Sequence, residues 1–448
     1  MKRFKKLISL VFAILLVFSL LALTGCGNNG AGDGGNDAQA EDAGDNDVDV
    51  GNDDADDVDD ADDVTTDDGD ADDAGADDDA DDADDTPPPA ADGAVWRIGG
   101  IGPTSGGAAF FGQAVYNGAL LAVEEINAAG GINGVPIELN FQDDEHNAEF
   151  SVNAYNALID WGMQILLGPV TSTPAIAVNV EAYADNVFML TPSATAIPAI
   201  APPNAFRVCF SDPMQGTVSA RYMDMVGIGE RIAIIFDSSD AYSSGIKAYF
   251  YEEATSLGLN IVAIEAFTEA NRTDFTVQLR IAMDADADLV FLPFYYQEAA
   301  LVLHQARDMG FDPIFFSCDG MDGILNVEGF DTSLADGVKF LAPFAATSEE
   351  PATVAFVSAF VARFDHTPSQ FAANAYDAIH VIKEAILHSG ATPDMDKADI
   401  GDLLIAAMLE IEVNGVTLYN ATWGADGEVN REPMVIEIRD GIYHIVYP

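Results

Sequence analysis

The 448 residues carry 75 Asp and Glu against 18 Lys and Arg, a formal charge of −57. An acidic excess of this size excludes nucleic acid as a partner and excludes docking onto anionic lipid headgroups, because both require positive surface.

The chain opens with Lys2, Arg3, Lys5 and Lys6, runs apolar from Leu7 to Leu23, and reaches Leu23-Thr24-Gly25-Cys26. A charged start, an apolar run ending in small residues and a cysteine at the cleavage point read as a bacterial lipoprotein signal peptide, residues 1–25, with lipid attached to Cys26. The competing reading is an uncleaved transmembrane anchor, since the run is nearly long enough to span a bilayer. Either way the remainder is expected outside the cytoplasm, tethered to the cell membrane.

Residues 27–96 contain 27 Asp and one Glu with no Lys or Arg. Such a stretch cannot bury enough apolar surface to offset the entropy of ordering it, so 26–94 is expected to be a disordered, lipid-anchored linker. A flexible coil of this length spans roughly 45 Å. Asp45, Asp47 and Asp49 are spaced like the first ligands of an EF-hand loop, but Val50 stands where that loop needs Gly, so a specific calcium site is not expected. No metal and no cofactor is expected anywhere in the chain.

From Val95 onward short β-rich runs alternate with helical patterns. Strands are expected at Trp96–Ile101, Val135–Phe141, Gln164–Leu167, Val187–Leu190, Ile232–Phe236, Ile261–Ile264, Leu289–Pro293 and Pro313–Phe316. Helices are expected at Gln113–Asn127, Pro174–Asn186, Gly245–Leu257 and Glu298–Met309, and Asn133-Gly134 makes a tight turn. This alternation predicts an α/β fold of mostly parallel sheets covered on both faces, and about 350 residues suit two of them. Ligands of such sheets sit outside the carboxyl ends of the strands, which in a two-lobed chain is the cleft between the lobes.

Two loops at strand ends are rich in hydroxyls. Gly168-Pro169-Val170-Thr171-Ser172-Thr173-Pro174 leads into a helix, and Thr191-Pro192-Ser193-Ala194-Thr195 follows the next strand. Hydroxyls and free N–H groups at a helix start suit an anion of carboxylate size without any basic residue. Ordinary helix capping is the competing explanation for each loop alone. Cys209 and Cys318 lie in apolar runs and are expected as buried thiols, with one disulfide possible.

The run Ser105–Gly112, then Asn127–Gly134, Asp143-Asp144, Gly168-Pro169, Pro192–Thr195 and Ala375-Tyr376-Asp377-Ala378 resembles, in order and spacing, the substrate-binding proteins of branched-chain amino acid ABC transporters. The resemblance covers Val95 to Pro448. It implies the type I periplasmic binding protein fold: two α/β lobes joined by a three-strand hinge that closes on ligand. Lobe I would comprise about 95–212 and 343–417, lobe II about 213–342 and 418–448. It further implies that Ser172 or Thr173, the backbone around Ser193 and Ala194, and Thr195 hold an amino-acid carboxylate. The ammonium would meet Asp319 and Tyr242, with Tyr295 lining the second lobe. A zwitterion in a closed cleft needs such partners at both ends, since an unpaired buried charge costs several kcal/mol.

Two departures bear on ligand identity. Phe111 stands where the leucine binders carry a tyrosine, and Asp319 is one methylene shorter than their glutamate. Glu145 and Val170 lie near the places of a cysteine pair that some relatives carry. Some family members bind amides, urea or aromatic acids.

No enzyme chemistry is expected. The histidines at 146, 304, 366, 380, 388 and 444 form no HExxH or other metal spacing, and no Gly-x-Ser-x-Gly elbow or phosphate-binding loop is present. Asp143-Asp144, at a strand end, is better explained as a turn or cap, or as a contact at the rim of the cleft. The expected function is capture of an apolar amino acid by a monomeric binding protein that hands it to ABC permease subunits, with a ligand-sensing co-receptor as the alternative.

The domain beyond the linker keeps a net charge of about −33 with only four lysines. This composition resembles that of proteins from saline surroundings, where counterions screen self-repulsion. The expected outcome is a melting temperature that rises as salt is added, measured by differential scanning calorimetry.

Overall fold

The computed structural model describes residues 93–447. The expected signal peptide, Cys26 and the Asp-rich linker up to residue 92 lie outside the described residues.

Strands β1 (Trp96–Gly102), β2 (Ile137–Asp143), β3 (Ile165–Leu167), β4 (Phe188–Thr191) and β5 (Ala205–Arg207) form one parallel sheet, ordered β2-β1-β3-β4-β5. The second sheet takes β6 (Ile232–Asp237), β7 (Ile261–Phe267), β8 (Leu289–Leu292), β9 (Ile314–Ser317), β10 (Lys339–Ala342), β11 (Met434–Arg439) and β12 (Ile442–Tyr447). Its order is β12-β11-β10-β9-β8-β6-β7, parallel except for the antiparallel pairs β10–β11 and β11–β12.

Strands buried on both faces are apolar at consecutive positions. In Ile165-Leu166-Leu167, the first and third side chains join the core under one set of helices, and Leu166 joins the core on the opposite face. The first face is covered by α1 (Ala109–Ala128), α9 (Gln370–Ser389) and α10 (Lys397–Met408), the second by α2 (Ala148–Trp161) and α3 (Ser172–Ala184). The second sheet repeats the arrangement. Ile234, Phe291 and Phe316 meet Met223, Ile246 and Phe250 of α4 (Asp212–Val226) and α5 (Ala241–Leu257). Its other face carries α6 (Thr276–Asp284) and α7 (Tyr296–Met309), through Leu279, Ala282, Val302 and Leu303.

The chain passes between the sheets three times: after β5, after β10 towards α8 (Pro351–Phe364) and α9, and again before β11. This is the two-lobed α/β architecture expected from the sequence.

Helix starts differ from expectation, and the differences matter for the site. Helix α1 begins at Ala109, four residues before Gln113, so Phe110 and Phe111 stand on its first turn instead of in the loop. Helix α5 begins at Ala241, not Gly245, because Asp240 caps it by accepting from Ser243 N–H. Pattern reading places helices by apolar periodicity and is blind to a cap that adds a turn ahead of it. Asn133 and Gly134, at φ 50° and 84°, form the expected tight turn between the bridged Ile132 and Val135. Asp143 accepts from Thr104, Ser105 and Glu145 N–H groups, the turn role its position suggested. Cys209 and Cys318 are buried free thiols.

Where α1 crosses α9, Gly118 has no room for a side chain: a Cβ there would sit 2.0 Å from the Ala372 carbonyl oxygen. Gly118→Ala is therefore expected to lower unfolding free energy by about 1–3 kcal/mol, despite alanine's better helix propensity. Urea denaturation followed by circular dichroism measures it.

Candidate ligand-binding site

The carboxyl ends of β3 and β4 from one lobe face those of β6, β8 and β9 from the other, and a small cavity lies between them. Phe111, Val170, Thr171, Ser172, Ser193, Tyr242, Tyr295, Asp319, Gly320 and Phe371 line it. Of the ten, the only ionisable groups besides the two tyrosine hydroxyls is the Asp319 carboxyl; no Lys, Arg or His is among them.

Asp319 follows β9 and opens a short 3-10 turn. Its Oδ1 accepts from the Tyr242 hydroxyl at 2.7 Å, and that hydroxyl accepts from Gly320 N–H at 2.9 Å. The Asp319 N–H donates to Gln215 Oε1 at 3.0 Å, and its carbonyl accepts from Gln370 Nε2 at 3.2 Å. Burial pushes the Asp319 carboxyl up to about 7, although its bonds to Tyr242 and Gln215 pull the other way. Gly320 lets two tyrosines close over this turn, since a Cβ there would lie 2.8 Å from both Tyr242 Oη and Tyr295 Cδ1.

Aromatic rings wall the cavity. Tyr242 stacks on Tyr295 with ring centres 4.9 Å apart, Phe111 meets Tyr295 edge-on at 5.1 Å, and Phe371 tilts against Phe111 at 4.5 Å. Burial raises both tyrosine hydroxyls well above their ordinary titration range, so they act as neutral hydrogen-bonding groups.

The hydroxyl loops divide differently from the expectation. Ser172, first residue of α3, lines the cavity and accepts from Ala196 N–H at 3.2 Å; Thr171 lines it beside Ser172. Ser193 also lines it while donating to the Val170 carbonyl at 2.6 Å. Thr173 faces the cleft mouth instead and donates to Asp240 Oδ1 at 3.1 Å. The Ala194 N–H is turned inward onto Thr191 Oγ1 at 3.0 Å. Thr195 is fully buried; its hydroxyl lies beside the Asp212 carboxyl short of hydrogen-bond geometry, and Arg207 and the Asp212 N–H hold its carbonyl. Phe111, Ser172, Ser193, Tyr242, Tyr295 and Asp319 thus meet in one cavity, while Thr173, Ala194 and Thr195 stand around it.

Phe371 and Gln215 escaped the sequence reading, and Thr171 entered it only as part of the hydroxyl-rich loop. Phe371 lies one turn ahead of the quoted Ala375–Ala378 stretch on α9, and Gln215 sits on α4 far from any strand end. Neither position carries a local signal; Thr171 adjoined a recognised residue.

With this geometry established, comparison with known proteins is direct. A family model described as periplasmic binding protein matches residues 95–441, and the chain belongs to that family. It is 32% identical over 304 residues to the Leu/Ile/Val-binding protein BraC3 of Rhizobium johnstonii, covering 67% of this chain and 81% of that protein. The crystal structure of the branched-chain amino acid transporter substrate binding protein LivJ from Streptococcus pneumoniae, in complex with isoleucine, superposes with a TM-score of 0.72 at 29% identity, covering 79% of this chain and all of LivJ. A solute binding protein from R. palustris in complex with benzoate shares the fold, with a TM-score of 0.71 at 20% identity over 79% of this chain and 96% of that one. The matched family and these relatives are described as binding proteins, not as enzymes.

Removing the Tyr242 hydroxyl withdraws a donor from the Asp319 carboxylate. In Tyr242→Phe the carboxyl is expected to titrate higher by about one pH unit, the equivalent of one hydrogen bond of about 1.4 kcal/mol. Carbon-detected NMR titration of the Asp side chains reads it.

Proposed function

We propose that the chain is an extracytoplasmic, lipid-anchored receptor that captures an apolar amino acid between its lobes and delivers it to the permease subunits of an ABC importer. The observation that carries this reading is Asp319. A carboxyl group walled by aromatic rings, with no basic side chain lining the same cavity, calls for a ligand that brings its own cation. Opposite it stand the hydroxyls of Thr171, Ser172 and Ser193 and the start of α3, a setting for a carboxylate. Phe111, Tyr295 and Phe371 offer apolar surface between the two poles. Binding would close lobe I, about 95–212 and 343–417, onto lobe II, about 213–342 and 418–448.

The Leu/Ile/Val-binding and isoleucine-bound relatives support the ligand class. The benzoate-bound neighbour shares only the fold, and the same carboxyl opposes an aromatic acid, which carries negative charge without a compensating ammonium.

L-leucine at about a thousand times its dissociation constant is expected to add about 4 kcal/mol and raise the melting temperature by several degrees. Asp319→Ala is expected to abolish the shift. A shift with benzoate and none with any amino acid would overturn the reading. Only the ionised carboxyl pairs with an ammonium, and with the lobes together burial raises it to about 7, so the closed form holds an amino acid less well as pH falls through that value. Calorimetry is expected to show weaker leucine binding at about pH 6 than at about pH 8.

A further inference from the structure

The mouth of the cleft holds contacts that the ligand reading leaves unused. Asp240 ends the loop after β6 and caps α5 through Oδ2, which accepts from Ser243 N–H at 3.2 Å. Its Oδ1 points the other way, across the cleft, and accepts from Thr173 Oγ1 at 3.1 Å. The same threonine oxygen lies 3.5 Å from the Ala241 N–H. His146 Nε2 stands 4.0 Å from Asp240 Oδ1, while its Nδ1 is 2.9 Å from Thr171 Oγ1. The imidazole edge rests on Tyr295, with ring centres 5.5 Å apart. Glu145 and His146 both take left-handed backbone, at φ 49° and 59°, a conformation that costs a non-glycine residue free energy and here turns the imidazole into the cleft.

Thr171, Thr173 and His146 belong to the loops of the first sheet, Asp240 and Tyr295 to those of the second. These bonds therefore form only while the lobes are together. Asp240 lines the mouth chamber, of about 250 Å³, and is absent from the lining of the inner cavity.

We propose that Asp240 is a cross-cleft latch: its carboxylate docks on Thr173 at the start of α3, beside His146, and holds the closed form without touching the ligand. The start of a helix favours that negative charge, and a bond between a hydroxyl and a carboxylate is stronger than a neutral one. A contact present only in the closed form shifts the open–closed equilibrium towards closure and so tightens any ligand that requires it. The proposal depends on the amino-acid reading only for the choice of probe.

The test uses the full chain with Asp240→Asn, which keeps a good cap for α5, Thr173→Val, which removes the donor at nearly constant shape, and the double variant. Calorimetry with L-leucine gives affinity, and hydrogen–deuterium exchange of the peptides spanning 171–175 and 238–243 reads closure with and without leucine. Each single variant is expected to bind leucine about tenfold more weakly and to exchange faster at both peptides, with the double variant no worse than either single one, because the same charge-assisted bond is lost in all three, Asp240→Asn leaving at most a neutral amide contact in its place. Unchanged affinity and exchange, or losses that multiply in the double variant, would overturn the latch. If the wild type shows no leucine binding, the amino-acid reading fails instead. The latch is then decided by ligand-free exchange: faster in both variants supports it, unchanged exchange sinks it.

Discussion

An ionised carboxylate among aromatic rings and away from water is costly by several kcal/mol, and the surroundings of Asp319 are arranged around that cost. The Tyr242 hydroxyl supplies one donor, and Gln215 fixes the backbone that carries the carboxyl. Gly320 allows the Tyr242 hydroxyl to reach the carboxyl, because any side chain there would drive Tyr242 and Tyr295 away. Tyr242 stands on the first turn of α5, whose start the Asp240 side chain caps. These partners leave the group poised near neutrality. What remains uncompensated is one negative charge, and the missing cation is the most specific chemical statement the cleft makes.

A second constraint lies behind the cavity, where two buried arginines join the ligand loops to the crossing segments. Arg207 donates to the Thr195 and Ala196 carbonyls and stands 3.5 Å from Glu428. Arg431 donates to the Val208 carbonyl and to Asn374 Oδ1 at 3.2 Å, and Asn374 Nδ2 in turn donates to the Pro192 carbonyl at 3.1 Å. Burial lowers the Arg431 guanidinium to about 10, still charged at neutral pH. Loop 192–196 is thereby gripped from two crossing segments at once. Loss of either grip would leave a buried guanidinium with fewer partners, which ties this loop firmly to the crossing segments.

Much of this was legible in the residues. Apolar runs such as Ile165–Leu167 announced strands buried on both faces, and Gly-Pro and hydroxyl-rich stretches marked the strand ends that build the cleft. Asp319 and Tyr242 came from the resemblance to a family, not from periodicity. What escaped was set by tertiary contact. Phe371 reads as one more apolar residue on the core face of α9 until the fold swings it over Phe111. Thr173 and Ser172 are adjacent hydroxyls at a helix start, indistinguishable in sequence, yet one faces the inner cavity and the other faces Asp240 on the opposing lobe. Gln215 touches Asp319 across 104 positions of chain, a distance no local pattern encodes.

Closure needs a ligand with different affinities for the open and closed forms. Under the proposed reading that difference comes from the two poles of a zwitterion. Ser172 and Ser193 stand on one lobe, Asp319 and Tyr242 on the other, so a molecule with both charges has partners on both sides only after the lobes meet. A molecule bearing a single charge engages one lobe, open or closed, and a ligand with equal affinity for both forms shifts nothing however tightly it binds. The separation of the donors from the carboxyl across the cleft thus couples recognition to closure, and it selects for zwitterions more sharply than the pocket's apolar walls select among side chains.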